Sequence, residues 1–344
     1  MTGVADAPLL DLRHLAVSFA TDDGTVHAVD GIDLVLGRGR TLGLVGESGC
    51  GKSVTSLAIM GLLPPENSKV RGEVRFQGRD LLTLDPGTMR DLRGASLAMI
   101  FQEPMTSLNP AYTVGDQIIE AIQRHQGLPA AEARTRAIEM LRTVRIPSPE
   151  KRVDEYPHKL SGGMRQRAMI AMALACGPEL LIADEPTTAL DVTIQAQILD
   201  LLRGLRRDTG TAIILITHDL GVVAEMADEV AVMYAGQIVE RAPVQVLFAR
   251  PEHPYTVGLL GSIPRLDEKR EHLPSIEGRV PDMSKPLVGC RFAPRCPFVE
   301  PACRETEPML VEVSPGHLSR CRRTPLDSVD HAHSDRGRPA RSFS

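Results

Sequence analysis

Short aliphatic runs alternate with longer helical stretches from Leu9 to about Val246. Runs of this kind, ending in glycine or acidic residues and separated by helical sequence, are typical of buried parallel strands in an α/β sheet. The pattern therefore predicts an α/β domain over residues 9–250. The four clearest runs are Arg40–Val45, Leu97–Phe101, Leu180–Ala183 and Thr211–Ile216.

Two regions depart from this alternation. The first 80 residues contain three segments that resemble antiparallel strands, so a small β subdomain is expected to flank the sheet. Between Tyr112 and Ala175 the pattern is mostly helical, which predicts an inserted helical subdomain at about residues 105–175. The three antiparallel segments are Leu9–Phe19, His27–Leu36 and Gly72–Leu81.

Proline recurs every few residues from Pro251 to Pro301, and charged residues become frequent. This shift predicts a loop-rich C-terminal extension over residues 251–324. Residues 325–344 are polar and are expected to be disordered.

The chain has 344 residues, of which 42% are hydrophobic, enough for one large domain and an extension. The net charge of −5 and the lack of a long basic run argue against a nucleic-acid partner. No apolar run is long enough to span a bilayer, and Met1–Pro8 does not resemble a signal peptide. We therefore expect a cytosolic chain, which docks on a membrane if it serves one.

The strongest motif follows the first aliphatic run. It matches G-x-x-x-x-G-K-[ST] and stands between a strand and a helix predicted to run through Leu63, the context in which this loop binds phosphate. Its glycines let backbone N–H groups converge on phosphate oxygens, Lys52 is expected to reach the β/γ-phosphates, and Ser53 to bind Mg²⁺. A glycine-rich turn without nucleotide is the alternative. The predicted nucleotide residues here are Gly46, Glu47, Ser48, Gly49, Cys50, Gly51, Lys52, Ser53 and Val54.

A second motif places four aliphatic residues before two carboxylates. Asp184 is predicted to hold Mg²⁺, and Glu185 to act as general base on the attacking water. Without the phosphate loop, the same pattern would indicate only a strand that meets solvent. Together the two motifs predict a P-loop nucleoside triphosphatase.

Leu160-Ser161-Gly162-Gly163-Met164 opens a helix predicted to run through Ala175, and it resembles the signature sequence of ATP-binding cassette (ABC) proteins. Ser161 is also a good helix N-cap, so a capped helix is the simpler explanation of this motif alone. The resemblance implies that Ser161, Gly162 and Gly163 bind the γ-phosphate held by an opposite subunit.

Four single residues match the same family in order and spacing. The resemblance implies that Gln102 senses Mg²⁺ and the transmembrane partner, and that His218 contacts the γ-phosphate. It further implies that Asp191 lies in a loop crossing the dimer interface, and that Phe19 stacks on adenine.

Finer resemblance points to the ATPase subunits of dipeptide/oligopeptide importers and their nickel-carrying relatives. It rests on Phe101–Pro110, Ala183–Thr193 and His253-Pro254-Tyr255-Thr256. The family implies two cassettes, identical or homologous, that close over two ATP molecules. It also implies two permease subunits, contacted near Met105–Gln123, and an external solute-binding protein, with the cassette peripheral on the cytoplasmic membrane face. A non-transport cassette ATPase and a nucleotide-binding module without turnover are the alternatives.

Four of the six cysteines fall within a short C-terminal segment: Cys290, Cys296, Cys303 and Cys321. In a reducing compartment, a metal site is favoured over disulfides. Structural zinc sites usually bring ligands in pairs two to four residues apart, and no such pair occurs here. The segment resembles the cysteine-bearing module of the importer ATPases, which implies a [4Fe–4S] cluster with a structural role. Zinc and free thiols or disulfides remain open.

Overall fold

The computed structural model describes residues 7–22, 24–102, 107–187, 191–262, 276–285 and 287–326. Within these ranges the strands are β1 Leu10–Thr21, β2 Gly24–Leu36, β3 Thr41–Val45, β4 Ser68–Phe76, β5 Arg79–Asp80, β6 Leu97–Ile100, β7 Leu180–Asp184, β8 Ala212–Ile216, β9 Glu229–Tyr234, β10 Gln237–Pro243, β11 Val311–Ser314 and β12 His317–Ser319. The helices are α1 Lys52–Ile59, α2 Pro86–Leu92, α3 Val114–Gln126, α4 Ala130–Thr143, α5 Pro149–Arg152, α6 Gly162–Leu174, α7 Val192–Thr209, α8 Leu220–Met226, α9 Val244–Ala249, α10 Pro254–Gly261 and α11 Pro301–Glu305.

The larger sheet confirms the predicted α/β class. Its strand order in the described chain is β11-β12-β10-β9-β3-β8-β7-β6. The run from β9 to β6 is parallel, and all residues of β3, β7 and β8 are buried, as in parallel strands covered on both faces. The carboxyl ends of these strands therefore meet at one edge, which is where open α/β sheets bind ligands.

The smaller sheet, ordered β2-β1-β4-β5, is antiparallel as predicted. The predicted bounds of its third strand were wrong. β4 begins at Ser68 and ends at Phe76, because Gln77 and Gly78 adopt positive φ angles of 52° and 79° and reverse the chain into β5.

Helices α3, α4 and α6 pack around an apolar core that also covers one face of the parallel sheet. α6 ends at Leu174, one residue before the predicted end. α1 stops at Ile59 and not at Leu63, because Gly61 takes a left-handed φ of 60° just beyond its last turn. No helix in the described ranges is long and apolar enough to cross a membrane.

The C-terminal segment is more regular than predicted. Its hairpin β11–β12 joins the larger sheet through pairing of β12 with β10. Phe292 packs against Tyr234 and Tyr255 with ring centroids 5.2 and 5.4 Å away, within a third apolar core. Leu326 is buried and its N–H donates to Glu252 Oε2 at 2.6 Å, so this residue of the predicted tail packs on the domain. Residues 327–344 lie outside the described residues.

Candidate nucleotide site

The phosphate loop follows β3 and opens α1, as the motif requires. Gly46 and Gly51 have φ angles of 151° and 108°, and an added Cβ would lie 2.1 Å from Met233 O and 2.4 Å from Ala28 O. Only glycine fits such positions. The Lys52 ammonium is 2.8 Å from the carbonyl oxygens of both Gly46 and Glu47, so the loop curls around this cation.

Cys50 occupies a free position of the loop and is fully buried. Burial raises the pKa of its thiol, although Lys52 Nζ lies 3.6 Å from the sulfur and opposes the shift. The side chain therefore fills space beneath the loop as a neutral thiol.

Asp184 and Ser53 meet at the floor of the site. Burial is the main cause of the raised pKa of Asp184, and a hydrogen bond with Ser53 opposes it. Asp184 Oδ1 is buried without a hydrogen-bond partner among the described residues. A buried acceptor left without a partner destabilises the fold, and a hard cation beside it would satisfy it. The carboxylate and the hydroxyl thus fit the predicted Mg²⁺ ligands.

The three predicted catalytic side chains come together. Gln102 Nε2 donates to Glu185 Oε2 at 3.1 Å, and His218 Nδ1 lies 3.4 Å from Glu185 Oε1. These residues follow β6, β7 and β8, and Glu185 N–H donates to Ile216 O at 2.8 Å. Glu185 has a φ of 47°, a strained value for a non-glycine residue that is found mainly at functional sites.

The residues predicted to lie at the interface with an opposite subunit, Ser161 and Asp191, form hydrogen bonds within their own helices. Ser161 Oγ accepts the Met164 N–H at 3.4 Å and caps α6, while Asp191 Oδ1 accepts the Ile194 N–H at 2.9 Å and caps α7. Hydrogen bonds of the described residues link neither side chain to the phosphate loop. Phe19 on β1 is partly buried against the apolar core that lies between the smaller and the larger sheet. The extended segments around Gln102 and Asp191 include residues 103–106 and 188–190, which lie outside the described residues.

The four C-terminal cysteines line one cavity. Its walls include His253, Phe292 and Phe298, and Cys290 N–H donates to Cys303 O at 2.7 Å. Gly289 permits that approach, because a Cβ there would lie 2.5 Å from the same oxygen. In the described residues, no three Cys, His, Asp or Glu side chains are close enough together to hold one metal ion.

Burial is the main cause of raised thiol pKa values around this cavity: about 11 for Cys296 and about 12 for Cys321. Cys290 and Cys303 raise the pKa values of both Cys296 and Cys321 further, as expected for neighbouring thiols. A cationic ligand bound to Cys290, Cys296 or Cys321 would therefore have to displace the protons of these thiols.

Two contacts from the C-terminal segment reach the phosphate loop and have no local sequence signal. Tyr255 and Arg295 both bind Glu47, across separations of 208 and 248 positions. Tyr255 belongs to the tetrapeptide that begins at His253, which indicated only a family resemblance and no contact with the phosphate loop. Arg295 belongs to no motif.

The geometry is that of a phosphate-binding loop beside two carboxylates, an arrangement suited to binding and hydrolysing a nucleoside triphosphate. A family model described as "ABC transporter" matches residues 29–188, and one described as "Oligopeptide/dipeptide transporter, C-terminal region" matches residues 239–303.

Several known proteins are similar over most of the chain. The "Probable peptide ABC transporter ATP-binding protein y4tR" of Sinorhizobium fredii is 58% identical over 318 residues, covering 92% of this chain and 95% of that protein. The dipeptide transport ATP-binding protein DppD of Bacillus subtilis is 53% identical, covering 91% and 94%. The solved ATP-binding cassette MJ0796, a dimer bound to ADP and Pi, is 26% identical with a TM-score of 0.62, covering 68% and 98%.

The chain therefore belongs to the ABC transporter ATPase subunits, in the dipeptide/oligopeptide transporter family. It is an ATP-hydrolysing cassette.

Glu185→Gln is expected to keep ATP binding and to lower turnover by about 10²–10⁴-fold, the usual contribution of a general base. The carboxamide cannot accept a proton from water, while Lys52 and Ser53 still hold the phosphates. ATP-locked dimers should appear in size-exclusion chromatography. Glu225→Gln, which changes an exposed carboxylate paired with Arg203, is the matched control. Undiminished turnover of Glu185→Gln would show that this residue is not the base.

Proposed function

We propose that this chain couples ATP hydrolysis to the uptake of peptides across a cell membrane. It would act as one of two cassettes, a copy of itself or a homologue, on two permease subunits that receive substrate from an external solute-binding protein. The observation that carries the proposal is the contact of Gln102 and His218 with Glu185, in one chain with an oligopeptide/dipeptide-type C-terminal region. In this assembly the cassette is peripheral to the membrane.

The residues of the site divide the work as follows. Backbone N–H groups of the phosphate loop and Lys52 bind the β- and γ-phosphates, and Phe19 contacts the adenine ring. Mg²⁺, held by Ser53 and Asp184 with Gln102 nearby, would neutralise charge on the phosphate oxygens. Glu185 takes the proton of the attacking water, and His218 stabilises the γ-phosphate region.

The second cassette completes the site. Ser161, Gly162 and Gly163 stand at the first turn of α6, where backbone N–H groups and the helix dipole favour an anion. Since they are not bonded to the loop of their own chain, they suit a γ-phosphate held by the opposite subunit. Asp191 would lie at the same interface, beside Val192, whose side chain is 82% exposed. Closure of the dimer would then move the permeases, which are predicted to contact the chain near Met105–Gln123.

The transported solute is tested by uptake in cells that lack this chain. Labelled dipeptide and oligopeptide uptake should be lost, restored by the wild-type chain and Glu225→Gln, and not restored by Glu185→Gln. Permease and binding-protein chains should co-purify with the wild-type cassette. Loss of nickel uptake with normal peptide uptake would instead favour the nickel-carrying alternative. If cells that lack this chain retain both peptide uptake and nickel uptake, and no membrane protein co-purifies with it, the result would favour a non-transport ATPase.

Ser161→Arg is expected to abolish ATPase activity and to leave ATP binding by the isolated chain nearly unchanged. The arginine would block the anion site offered to the opposite subunit, while the phosphate loop of the same chain stays intact. Asp85→Arg is the matched control, because Asp85 caps α2 as Ser161 caps α6. A Ser161→Arg chain that cannot bind ATP as a monomer would contradict a composite site.

We also propose that Cys290, Cys296, Cys303 and Cys321 hold a [4Fe–4S] cluster. Support comes from their convergence on one cavity. The cluster would cross-link the loops of the C-terminal segment through four thiolates. Zinc is the alternative ligand.

Anaerobically purified protein should contain about four iron and four sulfide per chain and absorb visible light. Cys296→Ser should bleach the chromophore and loosen the C-terminal segment, while the phosphate loop still binds ATP, though more weakly. Cys176→Ser, a half-buried cysteine outside the cavity, should do neither. Colourless protein with about one zinc per chain would replace the cluster by the alternative.

A further inference from the structure

We propose that Arg295 and Tyr255 are positioning residues for the phosphate loop. In this role the C-terminal segment holds Glu47, and with it the first turn of the loop, in the conformation that receives the nucleotide phosphates. The proposal goes beyond the transport function and concerns the affinity of the isolated chain for ATP.

The two residues grip both the backbone and the side chain of Glu47. The Glu47 N–H donates to the Tyr255 hydroxyl at 2.8 Å. Arg295 Nη1 donates to Glu47 Oε2 at 2.8 Å, and its Nη2 donates to Oε1 at 3.0 Å. A bidentate pair of this kind fixes orientation as well as distance. Glu47 is thus held at two points by residues more than 200 positions away.

The holding side chains are themselves fixed. The Arg295 side chain is 5% exposed, and it also donates to the carbonyl oxygens of Ile276 at 3.0 Å and Glu277 at 2.9 Å. The guanidinium lies 5.8 Å from the ring centroid of Tyr234, within cation–π range. Tyr255 is fully buried, with its ring 4.6 Å from that of Tyr234. Neither residue needs to be ordered when nucleotide arrives.

Glu47 also links its contacts with Arg295 and Tyr255 to Lys52, the cation that is predicted to bind phosphate. Its carbonyl oxygen accepts from Lys52 Nζ at 2.8 Å, so one residue links Arg295 on one side to Lys52 on the other. The loop contains glycines, which lose more conformational freedom on ordering than any other residue. If the loop is already ordered before binding, this loss of conformational entropy does not reduce the binding free energy. The affinity of the chain for ATP is therefore higher.

A competing explanation is that the ion pair only fastens the C-terminal segment to the domain. Arg320 separates the two explanations. It lies directly before Cys321, as Arg295 lies directly before Cys296, and its side chain is 18% exposed. It pairs with Glu307 and donates to the carbonyl oxygens of Ile238 and Pro308, away from the phosphate loop.

The test measures MgATP affinity by calorimetry on the full chain, together with kcat, KM and thermal midpoint. Arg295→Gln should weaken affinity about tenfold and change kcat less than about twofold, since coupled contacts are typically of this size. Arg320→Gln should lower the thermal midpoint as much as Arg295→Gln does. It should leave the affinity for MgATP within about twofold of the wild type. Tyr255→Phe, which removes only the hydroxyl, should weaken affinity about threefold.

A double-mutant cycle completes the experiment. Glu47→Gln should also weaken affinity, and the Glu47→Gln/Arg295→Gln chain should bind no more weakly than the weaker single variant. Wild-type affinity in a folded Arg295→Gln chain would overturn the proposal, as would an Arg320→Gln chain that loses affinity equally. If Arg295→Gln does not fold, Tyr255→Phe decides: unchanged affinity in that variant refutes the positioning role.

Discussion

Parallel pairing brings the carboxyl ends of strands to one edge of a sheet, and the hydrolytic residues of this chain depend on that constraint. The register pairs Leu44 with Ile216 and Asp184 with Ile216, so β3, β7 and β8 end level with one another. The loops that follow must then emerge side by side. The hydrogen bond from Glu185 N–H to Ile216 O fixes Glu185 at this edge and holds its unusual backbone angle. A slip of one residue would turn these side chains to the opposite face.

The same edge concentrates opposing charges in a buried place. Asp184 is 4% exposed, and Lys52 is 7% exposed with two backbone carbonyls as its partners. Burial raises the pKa of Asp184, and the neighbouring Glu185 raises it further. A bound cation would pair with this carboxylate, and bound phosphates would pair with the Lys52 ammonium. Each of the two buried charges would then have a partner of opposite sign.

Local patterns predicted the parts of this site that depend on neighbours in sequence. The glycines of the phosphate loop, the two carboxylates after β7 and the cap at Ser161 each follow from a short motif and its flanking elements, and the parallel sheet then brings Gln102 and His218 to Glu185. The bounds of β4 and α1 depended on single residues with positive φ, Gln77 and Gly61, which aliphatic patterns do not register.

Long-range contacts of the C-terminal segment were beyond such patterns. Proline and charge in this segment predicted loops, but β12 pairs with β10 and extends the same sheet that carries the phosphate loop. Nothing in the sequence near Arg295 indicates that its guanidinium lies on Glu47, because that contact is set by how Phe292 packs against both Tyr234 and Tyr255. The aromatic cluster places the turn Ala293–Arg295, and the turn places both Arg295 and the adjacent Cys296. The cavity of the cysteines and the entrance of the phosphate loop are therefore set by one packed unit, so that disturbing its core is expected to reach both.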